Sequence, residues 1–456
     1  MKRILLLSCL WLAALSAWAQ ESATKPSTPM NVVVLLADDW RYDTLGVAGN
    51  PIVKTPNIDR LAAEGVRFTD SCVTTSICGV SRASILTGQW MSRHGNMSFK
   101  AFKTPWAETY PGIMRANGYH VGHVGKWHCG KIPEDQFDFC RSYHGKHWMK
   151  DENDQPIHVT QKNLKDAMDF LDTRPKDKPF LLNLCFFAPH AEDGNPKQYL
   201  PQEKSMELYK DVTIPDSPTR NENALHRLPP FLQGEANEGR IRYHWRFDTD
   251  QSYQEMMKNY YRLCSEVDDV CGQVIERLRK EGVLDNTLII FTGDNGYFHG
   301  DYMLADKWYP YQQSIRVPMI VRDPRLPAGT RGTTRPQFVL NVDIAPTILA
   351  ATGMKQPGRM QGTDFSGLYL AAQAPAWREQ FFYEFGAIGK RDHIPASQCV
   401  VTRSMKYTLW PEWQHEQLFD LGKDPQELDN RLEDPAYAKS LAEMRATLEK
   451  LKEQAR

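Results

Sequence analysis

NVVVLLADD, residues 31–39, runs from Val32 to Ala37 without a polar break and then delivers two aspartates. A strand with one wet face alternates apolar and polar residues. An unbroken, largely β-branched run is instead how a strand buried on both faces of a parallel sheet reads. Its C-terminal end is where open α/β sheets place their ligands, so Asp38 and Asp39 are candidate ligands from the outset.

The pattern recurs along the chain. Residues 119–125, YHVGHVG, lead into Lys126, Trp127 and His128. Residues 180–187, FLLNLCFF, read as a second buried strand and end in Ala188, Pro189 and His190. Residues 288–292, LIIFT, read as a third, ending in Gly293, Asp294 and Asn295. Between the strands, 56–65 (PNIDRLAAEG) has the spacing of a short amphipathic helix closed by glycine. Residues 253–280 set Leu263, Val267, Val270, Val274 and Leu278 along one helical face. Strands alternating with helices predict an α/β fold: a large, mixed, mostly parallel sheet sandwiched by helices.

Four segments follow from texture. Lys2 and Arg3 precede an apolar run that ends in Ala17, Trp18 and Ala19, the pattern of a cleaved secretory leader over 1–19. A polar linker covers 20–30 and the main α/β domain 31–361, with a long irregular insertion at about 192–250. A smaller C-terminal α+β subdomain, 362–456, combines an antiparallel sheet with a charged final helix at 438–456. The leader implies export to a periplasm or the medium. No other stretch has the roughly 18 apolar residues of a membrane span.

Composition excludes other classes. At 456 residues, 41% hydrophobic and 24% charged, the chain is globular. Without the leader it carries 53 basic against 56 acidic residues, so nucleic acid is not an expected partner. The eight cysteines beyond the leader lack paired zinc-site spacing. Most read as small buried hydrophobes, with room for one disulfide. Cys264 and Cys271 lie about 10 Å apart on a helix and cannot bridge.

Asp38, Asp39, Asp294 and Asn295 are oxygen ligands from two strand ends. Carboxylates crowded in a low-dielectric cleft repel, and a hard divalent cation resolves the conflict; oxygen ligation favours calcium or magnesium over zinc. Either pair alone also reads as an ordinary turn. Lys126, His128, His190 and Lys307 fall at the same ends, and together they suit an anionic oxyanion substrate.

With these in place, residues 78–88, CGVSRASILTG, resemble the signature of the formylglycine-dependent sulfatases of the alkaline-phosphatase superfamily, C-x-P-S-R-x-x-x-L-T-G. Asp38-Asp39, Gly125 to His128, Ala188 to His190, Gly293 to Gly296, and Lys307 before Ser314 to Pro318 follow in family order. The resemblance spans nearly all of the chain beyond the leader. It implies that a maturation enzyme oxidises Cys78 to formylglycine, whose hydrate attacks sulfur and then expels sulfate as the aldehyde re-forms. It implies one Ca2+, with Mg2+ less favoured, on Asp38, Asp39, Asp294, Asn295 and the residue matured from Cys78. Arg82 would orient the hydrate, and His128 would remove its second proton. Lys126 and Lys307 would contact the sulfate, and His190 would protonate the leaving alcohol.

Three positions depart from the family pattern. Val80 replaces the proline two residues after the cysteine. Where the family often shows Gly-x-His before the catalytic lysine, Gly300-Asp301 is followed by Tyr302, with His299 ahead of the glycine. Tyr311-Gln312-Gln313-Ser314 replaces Tyr-Glu-Glu-Ser. The expected activity is hydrolysis of a sulfate ester, of a sulfated carbohydrate or another small ester. The alternatives are a phosphonate or phosphate ester hydrolase of the same superfamily, or a sulfated-glycan binder if Cys78 is not matured. Arg240, Arg242, Tyr243, His244, Trp245 and Arg246 in the insertion read either as a sugar-binding set or as a charged surface hairpin.

Overall fold

Val32 to Ala37 form the expected strand, β1 (Asn31–Ala37), and every residue of it is buried. The computed structural model describes residues 29–456; the expected leader and nearly all of the linker lie outside the described residues. Seven strands join β1 in one sheet: β2 (Val66–Phe68), β3 (His120–Gly125), β4 (Phe139–Ser142), β5 (Phe180–Cys185), β6 (Thr287–Gly293), β7 (Met319–Arg322) and β8 (Thr333–Arg335). Their order is β8-β2-β7-β6-β1-β5-β3-β4. Only β7 runs antiparallel to its neighbours; the other pairs are parallel.

Eight helices matter for the site: α1 (Pro56–Glu64), α2 (Cys78–Thr87), α3 (Tyr110–Ala116), α4 (Val159–Thr173), α5 (Glu238–Arg246), α6 (Asp250–Lys280), α7 (Ile344–Ala351) and α8 (Ala438–Ala455). Val33 and Leu35 of β1 face a core with α4 and α6, where Leu263, Val267, Val270, Val274 and Leu278 form the stripe read from the sequence. Val32, Val34 and Leu36 face the other core, with Ile85 of α2, Met114 of α3 and Ile348 of α7. Both faces are therefore dry, which is why β1 does not alternate. Helix α6 starts three residues before the expected 253 because Thr249 caps it, accepting from Ser252 N at 3.1 Å.

A second sheet follows, of β9 (Gln380–Phe385), β10 (Ser397–Thr402), β11 (Met405–Trp410) and β12 (His415–Asp420), each antiparallel to the next. Its alternation is regular. Phe381, Tyr383 and Trp410 pack with Cys78 and Val80 at the start of α2, while Phe382, Val400 and Tyr407 pack under Met444 and Leu448 of α8.

Two expectations need correction. The strand expected over 180–187 ends at Cys185, although Phe186 N still donates to Leu36 O at 2.8 Å before the chain turns away. The stretch 192–250 is neither irregular throughout nor a hairpin. It holds α5 and two one-turn helices, and it buries Arg240, Tyr243 and Arg246. All eight cysteines of the described residues are free, and only Cys140 is not fully buried.

Candidate active site

Strand register brings the site residues level. Leu36 pairs with Cys185, Ala37 with Gly293, and Gly125 with Cys185. The residues that follow, Asp38, Asp294 and Lys126, therefore emerge side by side. Main-chain bonds continue the ladders into the loops, from Asp294 N to Ala37 O at 3.0 Å and from Lys126 N to Cys185 O at 2.8 Å. Beyond them the backbone bends into left-handed conformations at Asp39 (φ 58°), His128 (φ 62°) and Asp306 (φ 74°). Such strained non-glycine residues cluster where the surrounding structure holds functional groups in place.

Cys78 begins α2, and the helix ends at Gly88 with φ 62°. Gly79 is there for space, because a Cβ would sit 2.5 Å from His128 O and 2.8 Å from Ser98 O. That close approach sets Cys78 Sγ 3.1 Å from His128 Nδ1. One turn on, Arg82 is buried and ties three elements together. Its Nε donates to Asp294 Oδ2 at 2.8 Å, its Nη1 to Lys126 O at 2.7 Å and its Nη2 to Phe186 O at 3.3 Å.

The acidic cluster is oxygen-rich and short of partners. Lys126 Nζ contacts Asp38 Oδ2, and Lys307 Nζ contacts Asp39 Oδ1. Asp39 Oδ1 also accepts from Asn295 Nδ2 at 2.6 Å, and Asp294 Oδ1 accepts from Asp39 N at 3.2 Å. Yet Asp38 Oδ1, Asp39 Oδ2 and Asn295 Oδ1 are buried with no hydrogen bond. Unpartnered buried acceptors cost about 1–3 kcal/mol each. Three at one strand edge fit a hard divalent cation, which takes oxygen ligands. His190 Nε2 stands 3.5 Å from Asp39 Oδ2. Asp38, Asp39 and His190 can present ligand atoms within 4.8 Å of one another, so the histidine borders the acidic cluster.

Electrostatics say the same. Burial pushes Asp39 up to about 8 against the pull of Lys307, and Asp294 up to about 6 with Asp38 adding to the rise. Burial also opposes ionisation of Asp38, but Lys126, His190, Arg82 and Lys307 hold its carboxyl well below the usual range. Burial, reinforced by Lys126, lowers His128 to about 2; burial and then Lys307 and Lys126 keep His190 far below its ordinary value. Both imidazoles are neutral at physiological pH. The Cys78 thiol is pushed up to about 11 by burial, in spite of Lys126 and Lys307. It is therefore not an activated thiolate nucleophile.

These groups open into a cleft of about 410 Å³. Cys78, Lys126, His128, His190 and Lys307 line it, and so do residues that the sequence did not single out: Phe99, His144, Asp193, Asp306 and Trp308. Phe99 stacks on His128 with ring centroids 4.5 Å apart. Asp306 receives Arg246 Nη1 at 2.6 Å and lies 3.3 Å from Lys307 Nζ. Its place beside Lys307 in the chain was the one available signal. His299 is buried against Tyr260, with centroids 4.7 Å apart, and is not part of the cleft lining. It does not substitute for the histidine missing after Gly300.

Solved structures share this fold of a mostly parallel sheet covered on both faces, with acidic residues at its strand ends. A structure solved with its substrate D-glucosamine-2-N,6-O-disulfate superposes with a TM-score of 0.79 at 23% identity, over 94% of this chain and 98% of that one. The phosphonate monoester hydrolase of Agrobacterium radiobacter gives 0.78 at 22% identity, over 94% and 96%. At such identities the likeness concerns the fold.

The chain belongs to the sulfatase family, whose model matches residues 30–354; a second model, the C-terminal region of N-sulphoglucosamine sulphohydrolase, matches 300–454. Among curated relatives, the N-acetylglucosamine-6-O-sulfatase of Bacteroides thetaiotaomicron is 27% identical, over 97% of this chain and 90% of its own length. The protein is accordingly a sulfuric ester hydrolase.

Proposed function

We propose that the protein removes sulfate from a sulfated carbohydrate, with Cys78 matured to formylglycine and one Ca2+ held by Asp38, Asp39, Asp294, Asn295 and residue 78. The observation that carries this reading is the convergence of three unpartnered buried oxygens, Asp38 Oδ1, Asp39 Oδ2 and Asn295 Oδ1, with Cys78 and two buried lysines at one sheet edge. The sulfated sugars in the names of a relative and of a structural neighbour support the substrate class.

Formylglycine would supply a hydrated aldehyde with one hydroxyl to attack and a second to release the sulfate, and the cation would supply Lewis acidity toward a sulfate oxygen. The chain's own groups do the rest. Arg82 fixes residue 78 relative to Asp294 through α2. His128, neutral and 3.1 Å from the side chain of residue 78, accepts a proton there. Burial opposes the charge on Lys126 and Lys307, but Asp38 and Asp39 hold both ammoniums above their ordinary range. Both lysines stay cationic and neutralise charge on the sulfate. His190 has Nδ1 2.5 Å from Ala191 O, which fixes its ring; with Lys307 it serves the leaving oxygen.

The same reading takes 31–361 as the catalytic domain and 362–456 as a subdomain closing over α2, and takes the chain as exported after loss of 1–19. No helix of the described residues is long and apolar enough to cross a membrane. The test is peptide mass analysis across residues 76–82 of protein from its native host, followed by release of sulfate from sulfated sugars with and without chelator. A full-occupancy aldehyde with chelator-sensitive sulfate release is expected. An unmodified thiol in inactive protein would overturn the catalytic reading.

A further inference from the structure

The insertion places a second polar device at the cleft, beside the sulfate end. Asp193 lies three residues after His190, in the turn where Asn195 N donates to Glu192 O at 3.0 Å. Its Oδ1 receives Arg246 Nη2 at 2.7 Å and contacts Arg242 Nη1. Among the described residues the one side-chain hydrogen bond to Asp193 falls on Oδ1, and Oδ2 accepts none. The side chain is 40% exposed and lines the cleft, as Arg242 does.

Both groups are held from behind. Arg246 is fully buried and anchored by Asp306 at 2.6 Å, Tyr297 OH at 2.8 Å and Gln198 Oε1 at 2.9 Å. Arg242 donates from Nε to Glu238 Oε1 at 2.6 Å and stacks on Trp245, its guanidinium carbon 4.5 Å from the ring centroid. A continuous chain of ion pairs thus runs from Lys307 through Asp306, Arg246, Asp193 and Arg242 to Glu238.

Charge decides what this device reads. Three cations alternate with three anions, so Arg242 carries no surplus positive charge for a second sulfate, and the free oxygen of Asp193 would repel one. A fixed carboxylate oxygen beside a guanidinium edge offers an acceptor and donors for neutral hydroxyls. We propose that Asp193 and Arg242 form the subsite for the leaving alcohol, binding adjacent free hydroxyls on the sugar ring that bears the scissile sulfate. This rests on the sulfatase reading above. It adds that the substrate ring is a polyol with no second sulfate facing Asp193. Asp193 and Arg242 are specificity residues, and Arg246 is a positioning residue behind them.

The test uses the matured full-length protein and its D193N and R242M variants. The probes are a panel of hexose and N-acetylhexosamine monosulfates carrying sulfate at single positions, with 4-nitrophenyl sulfate as an alcohol that lacks ring hydroxyls. For the best sugar, kcat/KM relative to the aryl sulfate should fall at least thirtyfold in each variant, mainly through KM. Thermal unfolding is expected to shift only slightly in D193N, whose amide keeps the shape of the carboxylate. Equal losses on sugar and aryl ester would mean a merely structural role and overturn the proposal. So would wild-type turnover of the aryl ester with none of the sugars, although the sulfatase reading would survive. Matured wild-type protein inactive on every sulfate ester would overturn both.

Discussion

Acidification should destabilise this fold through buried histidines that no carboxylate partners, and His94 and His123 are the two whose size of effect can be worked out. His94 and His123 are buried. His94 Nδ1 accepts from Asn96 N at 3.1 Å, so its proton sits on Nε2, 3.1 Å from Ser84 Oγ. His123 Nε2 lies 3.3 Å from Gly125 O and donates to it. Burial pushes both down to about 3, whereas an exposed histidine titrates near about 6.5. The folded state therefore binds fewer protons than the unfolded chain. Stability is fully present above about 6.5 and is lost as the pH falls from there toward 3.

At pH 5 each ring contributes a loss of about 2 kcal/mol relative to pH 7, and the pair about 4 kcal/mol. That is large beside a typical 5–15 kcal/mol (roughly) for a whole domain. His299, which burial also holds well below its ordinary value, adds to the loss in the same direction; His147 and His158 are left out of the sum. Their Nδ1 atoms lie 3.8 Å from Glu192 Oε2 and 3.3 Å from Glu266 Oε2, carboxylates that can hold a proton on the ring. The assay is urea unfolding at pH 7 and pH 5 for the wild type, His94→Gln and His123→Gln. Each glutamine removes one titrating ring, so the fall between the two pH values should shrink by about 2 kcal/mol in either variant. Parallel falls in all three proteins would refute the argument.

Three shorter predictions follow from the site. Arg82→Lys cannot reach Asp294, Lys126 O and Phe186 O together, so at least one buried acceptor loses its partner. A stability loss of about 1–3 kcal/mol is expected, with kcat down by about 10²–10³ as for other lost preorganised donors, read by thermal unfolding and initial rates. Val80→Pro falls in the first turn of α2, where an N–H lacks an intrahelical partner, so it should cost less than about 1 kcal/mol. Co-expressed with a maturation enzyme that reads proline, the variant should raise aldehyde occupancy at residue 78 by peptide mass analysis; unchanged occupancy would show that Val80 is already tolerated. In unmatured protein at pH 8, burial leaves about one Cys78 thiol in a thousand ionised. Alkylation by iodoacetamide should therefore run at least about 100-fold slower than for a free cysteine, and should accelerate as the pH rises toward 11.

The contrast between what the sequence shows and what it hides has a physical cause. Asp38 and Asp294 were legible because each follows a strand whose apolar run marks its own end, and parallel register then carries those ends to one edge, beside the Lys126 that follows the Gly- and His-containing strand β3. Cys78 was legible through its neighbours: Gly79 provides the space and Arg82 the anchor, and both are local to α2. On the leaving-group side, His190 also ends a strand and Arg242 stood out through the charge and aromatics of 240–246, but Asp193 had no such local signal. In α5 the buried positions Arg240, Tyr243 and Arg246 keep a helical spacing, but two of the three are arginines, which a hydrophobicity pattern scores as surface. What makes Arg246 a core residue is Asp306, sixty positions away in sequence, and Asp306 is read from the chain only as the neighbour of Lys307. Burial by hydrophobicity leaves a periodic trace in a sequence, whereas burial by ion pairing leaves none until both partners are placed. The catalytic end of this site depends on the first kind and the specificity end on the second. Substitutions that retune the proposed subsite should therefore concentrate in 192–250, where Asp193 and Arg242 can change while the acidic strand ends stay fixed.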